Sequence, residues 1–348
     1  MKRVLVTGAG GYIGSVLVPK LLANGYAVRA IDRFFFGSNV LEKAPNLEII
    51  QEDSRRLSSR QFRDIDAVID LVAISNDPSG ELFEAATWQI NHEGRVATAK
   101  LAKASGVPRY ILPSSCSIYG FQKEVVDETA PTNPLTVYAR ANERAEIDTL
   151  KLCEDDFSVT VLRQATVFGF SPRMRFDLAI NGMTYGAFAN RCLPLMRDGT
   201  QYRPMLHVQD ATDLMLKLLE TKPSLINGEI FNVGSTANTY QLGSLGKEIA
   251  ELVSEIIDSP VDIEWYGEPD HRSYQVSFSK VERTLGWQAR WNAEKGCREI
   301  VEKLRSGHLN RTSQTITLDW YQQLSQWHQI IRSVEMYGGI LDIDRGNQ

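Results

Sequence analysis

The segment Gly8-Ala9-Gly10-Gly11-Tyr12-Ile13-Gly14 constrains this chain more than any other. It follows the apolar run Val4-Leu5-Val6 and opens a helical stripe of Ile13, Val16, Leu17 and Leu21, so it is a strand-to-helix turn. Glycines in such a turn let the backbone approach a pyrophosphate, and the helix start offers unpartnered N–H groups and the positive end of its dipole. Gly8, Gly11, Tyr12, Ile13 and Gly14 are therefore the candidate phosphate cradle. Asp32 ends the next apolar run, where a carboxylate can accept bonds from a ribose diol. Together these features read as a dinucleotide site. Asp32 favours NAD, because a 2′-phosphate would sit against its carboxylate. Arg33 beside it can hold such a phosphate and keeps NADP open.

The first half of the chain supplies the matching architecture. Short apolar runs at 27–31, 47–51, 67–73, 110–113 and 159–162 alternate with helical patterns such as 12–24 and 88–105. Strands of this kind with interposed helices predict an α/β fold, a Rossmann-type doubly wound parallel sheet covered on both faces. After about Phe170 the pattern loosens into short strands, turns and a few helices. Residues 230–233 are strand-like, 242–257 form an amphipathic helix, and 317–336 form a last helix. That helix carries Leu318, Trp320, Tyr321, Leu324, Trp327 and Ile331, a stripe for docking on the core or on a partner. The expected division is a Rossmann domain over residues 1–170, with a segment near 205–235 returning to it. Residues 171–348 then form mainly a smaller α/β substrate domain and the C-terminal helix.

Composition narrows the partners. The chain has 348 residues, enough to bury a core without disulfides or metal, and a formal net charge of −5, which argues against a nucleic-acid binder. Cys116, Cys153, Cys192 and Cys297 lie far apart, with no metal or disulfide spacing, so no metal site is expected and a reducing cytoplasm fits. No stretch is apolar enough for a membrane span, and the N-terminus enters a strand directly rather than through a leader.

The spacing G-x-x-G-x-x-G, taken with several later segments, resembles the extended short-chain dehydrogenase/reductases. Among these it resembles the NAD-dependent epimerase/dehydratase family acting on nucleotide sugars. Those segments are Glu52-Asp53-Ser54, Asp70-Leu71-Val72-Ala73, Asn91-His92-Glu93-Gly94, Ser114 to Gly120, Leu162-Arg163 through Phe168-Gly169, and Arg203 to Asp210. The resemblance covers roughly residues 3 to 300. It implies cofactor contacts from Asp53, Ser54, Leu71, Ala73, Asn91 and Thr166, and a homodimer paired through helices near 92–105 and 138–153, where Val96, Leu101, Ile147 and Leu150 are apolar. His207 reads as a structural histidine.

The resemblance also implies that Ser115 and Tyr138 meet over the nicotinamide. There Tyr138 is the acid/base and Ser115 holds the substrate oxygen. A phenol does this work when its pKa falls from about 10 toward neutrality. The family motif Tyr-x-x-x-Lys is here Tyr138-Ala139-Arg140-Ala141-Asn142. Asn142 shares the face of Tyr138. It could bond the nicotinamide ribose but cannot lend a charge. Cys116-Ser117 stands where family 4,6-dehydratases carry Asp-Glu, which favours epimerisation over dehydration. Cys116 is a second acid/base candidate or a buried filler.

For the substrate, Arg203 and Arg272 suit a diphosphate by charge and geometry. Asn190 is a candidate sugar or base contact, and Ser75 and Asn76 open a polar insert at the carboxyl edge of the sheet. The leading reading is an enzyme, an NAD-dependent nucleotide-sugar 4-epimerase acting through a transient 4-keto sugar. The alternatives are an NAD(P)H-dependent keto-sugar nucleotide reductase, a dehydratase, or an NAD and sugar-nucleotide binding protein weakened by Asn142.

Overall fold

Seven short runs rich in Val, Ile and Leu form one parallel sheet. They are β1 (Arg3–Thr7), β2 (Ala27–Asp32), β3 (Leu47–Gln51), β4 (Ala67–Asp70), β5 (Arg109–Ser115), β6 (Ser158–Gln164) and β7 (Glu229–Val233). The order across the sheet is β7-β6-β5-β4-β1-β2-β3, so the chain runs outward from β1 to one edge and then returns to build the other half. A parallel sheet covered on both faces needs apolar strands throughout. β1 and β6 meet that requirement, being buried at nearly every position. This computed structural model describes residues 1–268 and 272–335.

The covering helices include α1 (Gly14–Ala23), α2 (Arg95–Ala104), α3 (Val137–Leu150) and α4 (Val208–Glu220). A second, smaller core lies beyond the carboxyl edge. It gathers Leu193, Leu195, Met205, Leu245, Ile249 and Val253 around α5 (Leu242–Ile257) and α6 (Ala293–Arg305). Its strands pair locally, with Tyr202–His207 between Thr166–Phe168 and Thr239–Gln241. α7 (Thr317–Val334) follows. No helix among the described residues is long and apolar enough to cross a membrane.

Three boundaries differ from the sequence expectation. The run 67–73 stops being a strand at Asp70, and Leu71 to Ala73 leave the sheet to line the cleft. The long helix expected at 88–105 begins as a π-helical stretch, Trp88–Gly94, before α2. The insert at 76–80, open between a polar loop and a turn, is instead a helix, Asp77–Leu82. Its start is capped by the Asn76 side chain, which accepts from the Ser79 amide at 2.9 Å. For the last helix, only the first half docks. Trp327, Ile330, Ile331 and Val334 are exposed, and residue 336, its expected end, lies outside the described residues.

A buried ion pair fixes α3 on the sheet. Arg163 of β6 donates from Nε and Nη2 to Glu146 Oε2 at 3.0 and 2.8 Å, and from Nη1 to the Tyr119 hydroxyl at 2.9 Å. Ser114 of β5 donates to the other oxygen of Glu146. Burial pushes the Glu146 carboxyl up, and the Arg163 guanidinium pulls it back down. Breaking such a pair strands a buried charge, whereas removing both partners does not. Glu146→Ala is therefore expected to cost about 3–5 kcal/mol, and Glu146→Leu with Arg163→Met together less than Glu146→Ala alone. Urea denaturation of the three proteins measures both differences.

Candidate active site

The carboxyl edge of the sheet opens on a cleft of about 870 Å³, lined from Gly8 at one extreme of the chain to Leu324 at the other. One end is the glycine turn. Gly8 has φ +66°, and a Cβ there would lie 2.7 Å from the Leu71 carbonyl carbon. A Cβ on Gly14 would lie 2.4 Å from the Gly8 oxygen. The turn closes this tightly because no side chains intervene, and it brings Gly8, Gly11, Tyr12, Ile13 and Gly14 to the cleft wall at the start of α1, where a helix N-terminus favours a pyrophosphate. The donor set therefore fits a dinucleotide.

Asp32 ends β2 at the same place. Its carboxylate accepts from the Gly10 amide at 3.0 Å and from the Phe34 amide at 2.6 Å. It thus anchors the turn while still facing the cleft. Burial raises its pKa above the ordinary carboxylate value, against those two amide bonds. Asp53 and Ser54 lie beyond it on the cleft wall. Asp53 pairs with Arg55 at 2.6 Å and with Arg33 at 3.2 Å, and the Arg55 bond draws its carboxyl down to about 2. Arg33 also lies over the Phe35 ring at 4.4 Å, so this arginine is held by its own neighbours.

At the other end of the cofactor groove, β5 delivers Ser115 and the start of α3 delivers Tyr138. The Thr136 side chain caps that helix start by accepting from the Ala139 amide at 3.2 Å. The Ser115 hydroxyl lies close enough to the Tyr138 phenol to act on its ionisation, and it accepts from the Ser117 amide at 3.1 Å. Burial pushes the phenol above its ordinary value, and the Asp77 carboxylate pushes it further. Ser115, Arg95 and Arg175 pull it down. Thr166, Leu71, Ala73, Ser75, Asn76, Ser117, Arg203 and Arg272 also line the cleft. Arg203 donates to the carbonyls of Tyr202 and Arg272, and Arg272 pairs with Asp77.

Four candidates are not brought to the cleft wall. Cys116 turns inward at the first position of a 3₁₀ turn and donates to the Arg163 carbonyl at 3.1 Å, and burial pushes its thiol well above the usual range. Asn91 is fully buried and exchanges two bonds with the Ile74 backbone, at 2.8 and 2.9 Å, so it shapes the cofactor wall from behind. Asn190 ends a π-helical turn on the exposed side of the smaller lobe. Asn142 is 2% exposed. It points away from the cleft, accepting from Arg95 Nη1 at 3.1 Å and donating to the Tyr138 carbonyl at 2.9 Å. His207 is buried, stacked on Trp291 at 4.0 Å and bonded to Glu299 at 3.0 Å.

Residues 4–234 match the family described as the NAD dependent epimerase/dehydratase family. The chain belongs to that family. Among its relatives is UDP-glucuronic acid decarboxylase 2 of Arabidopsis thaliana, 26% identical over 320 residues, covering 87% of this chain and 68% of the relative. A putative UDP-glucose 4-epimerase of Methanocaldococcus jannaschii is 25% identical over 320 residues, covering 89% of this chain and all of the relative. The fold is also that of UDP-glucuronic acid 4-epimerase from Bacillus cereus, solved with UDP-glucuronic acid and NAD. That structure has a TM-score of 0.79 at 23% identity, with 87% of this chain and 99% of that one aligned.

Several residues of this site were not singled out from the sequence of this family member. Arg173, Arg175 and Asp177 follow the strand Thr166–Phe168 and enter the cleft wall together. Arg175 grips Asp177 through two bonds, at 3.1 and 2.8 Å, and donates to Ser75 Oγ at 3.0 Å. Asn76 donates to the same carboxylate at 2.8 Å. The signal available was charged residues alternating with Met174 and Phe176 just past a buried strand. Tyr321 of α7 packs on Phe35, Phe36 and Phe83, which only the folded chain reveals.

Asp32→Ala removes the acceptor at the end of β2 and frees the Gly10 amide. Bonds to charged groups are worth about 1.5–3 kcal/mol, so NAD affinity should fall by roughly 10- to 100-fold in calorimetric titration. Because burial raises the Asp32 carboxyl, it gains its proton at a higher pH than an exposed aspartate. Wild-type affinity should therefore decline on mild acidification, and the Asp32→Ala protein should lose that decline.

Proposed function

We propose that this chain is an NAD-dependent enzyme that inverts C4 of a nucleotide-diphosphate sugar through a transient 4-keto intermediate. The observation that carries this reading is the placement of Ser115 and Tyr138 on the wall of the same cleft that holds the glycine turn and Asp32. The UDP-sugar names of its relatives support the substrate class.

NAD⁺, when bound, supplies the hydride acceptor beside Tyr138. Tyr138 takes the proton of the C4 hydroxyl, and Ser115 holds that oxygen in line. After the ketone presents its other face, C4 takes back the hydride while its oxygen takes back the proton from Tyr138, which is why one acid/base suffices. Ser117, whose buried Oγ has no hydrogen-bond partner among the described residues, lies next to Ser115 and can bond the sugar. Asp77 and Asp177 are carboxylates on the cleft wall. Both are tied to arginines, which leaves neither free for an elimination. Arg203 and Arg272 lie where the diphosphate leaves the sugar pocket, and charge-assisted bonds from them fix its position. A homodimer fits this reading too, since Ile147 on α3 is 43% exposed. Light scattering tests it.

The deciding experiment incubates purified protein and NAD⁺ with UDP-glucose, UDP-galactose and UDP-glucuronic acid, with chromatographic separation and mass spectrometry of the products. An isomer of unchanged mass establishes the epimerase. Loss of carbon dioxide from UDP-glucuronic acid makes it a decarboxylase, and loss of water a dehydratase. Turnover of none of the three refutes the reading for UDP-sugars.

Tyr138→Phe should lower kcat by roughly 10²–10⁴-fold with KM changed only a few-fold. Arg203→Ala should instead raise KM about 10- to 100-fold with a smaller effect on kcat. Steady-state kinetics on whichever UDP-sugar is turned over separate the two.

A further inference from the structure

Burial sets the Tyr138 phenol apart from water, and its charged surroundings come from three directions. Asp77 and Glu81 belong to the helix Asp77–Leu82. Asp77 pairs with Arg272, and Glu81 accepts from the Val137 amide at 2.8 Å. Arg175 lies on the cleft side but is already gripped by Asp177. From behind α3 comes Arg95.

Arg95 is 2% exposed. Its Nη2 donates to the Asp70 carbonyl at 2.8 Å and to the Pro113 carbonyl at 2.5 Å, at the carboxyl ends of β4 and β5. Its Nη1 donates to Asn142 Oδ1 at 3.1 Å. Its Nε has no hydrogen-bond partner among the described residues but forms a buried ion pair with Asp70 Oδ2 at 3.6 Å. That carboxylate also accepts from the hydroxyls of Thr7 and Tyr110, each at 2.5 Å. The guanidinium is thus pinned by neutral carbonyls and faces one anion that it shares with two hydroxyls.

Asn142 is the link. Its amide oxygen meets the guanidinium and its Nδ2 meets the Tyr138 carbonyl at 2.9 Å. An amide can do both because it carries an acceptor and a donor without charge. A lysine at 142 has no acceptor for Arg95 and would set a second cation against it in a buried space.

We propose that Arg95 is a positioning residue for proton transfer, a fixed positive charge behind Tyr138 that Asn142 holds in place and that residue 142 itself does not carry. The inference rests on the reading of Tyr138 as acid/base. Arg95 and Asn142 then form one unit, and only changes to both together preserve it.

The test uses the NAD-loaded protein and two readouts. The first needs no substrate. The ionisation of Tyr138 is followed as the difference in the ultraviolet phenolate band between each protein and its Tyr138→Phe counterpart. The second is the pH profile of kcat on UDP-glucose and UDP-glucuronic acid. The variants are Arg95→Lys, Arg95→Met, Asn142→Lys, and Arg95→Met with Asn142→Lys, each checked for folding by circular dichroism.

Arg95→Met should raise the phenol by about one unit or more, a tenfold loss of phenolate at a given pH, and Arg95→Lys should raise it less. Asn142→Lys alone should lower kcat or unfold the protein. The double variant should regain most of the lost phenolate, because one cation again faces Tyr138. If Arg95→Met folds with an unmoved phenol, or if Asn142→Lys alone increases turnover and lowers its pH optimum, the proposal is overturned. Should Arg95→Met fail to fold, Asn142→Lys and the double variant still decide it. Lack of turnover on both UDP-sugars by the wild type refutes the substrate reading instead, while the phenolate titration still judges Arg95.

Discussion

The bond between Arg163 and Glu146 determines where the chemistry of this protein can occur. The phenol proposed as acid/base can serve only if its helix is held against the sheet edge, and α3 has few large apolar residues to hold it there. Its buried face is mostly Ala139, Ala141 and Ala145. Small residues allow close approach but bury little surface. The network of Glu146, Arg163, Ser114 and Tyr119 supplies the directional hold instead, joining α3 to β5, β6 and the turn after Ser115. Tyr119 then passes the connection on to Asn232 of β7 at 2.8 Å. The cost of burying two charges is repaid by orientation, since each bond has one allowed geometry where apolar packing has many.

The cleft follows the same principle of paired charge. Asp53 with Arg55, Asp177 with Arg175 and Asp77 with Arg272 each put a carboxylate beside a guanidinium on the wall. Anionic ligands would be repelled by any of these acids alone. The arginines cancel that repulsion and hold the acids in single orientations, so the cleft accepts negative charge while remaining rigid.

Much of this was legible in the chain itself, and the reasons are local. The glycine turn and Asp32 could be found because a tight turn between strand and helix needs particular residues at particular spacings. The β3 and α5 boundaries were read as they are, Leu47–Gln51 and Leu242–Ile257, because both segments have strong periodicity. The helix at Asp77–Leu82 was not foreseen, since its start depends on an Asn76 cap that a turn could equally use. Arg95 escaped notice because its importance lies in whom it meets. Asn142 is 47 residues away and the Pro113 carbonyl 18, and no pattern along the sequence records those meetings. For the same reason Asn142, visible as a departure from a motif, could not be seen to face away from the ligand.

α7 lays Tyr321 against Phe35 and Phe36, and the indole N–H of Trp320 donates to the Phe35 carbonyl at 2.5 Å. The wall begun by residue 8 is thus finished by residues beyond 316. A nascent chain emerging from the ribosome can form β1, the glycine turn and most of the sheet long before that helix exists. The binding cleft, by contrast, is completed only once the residues past 316 are in place. A chain cut before them carries the glycine-turn end of the site with one side left open to water.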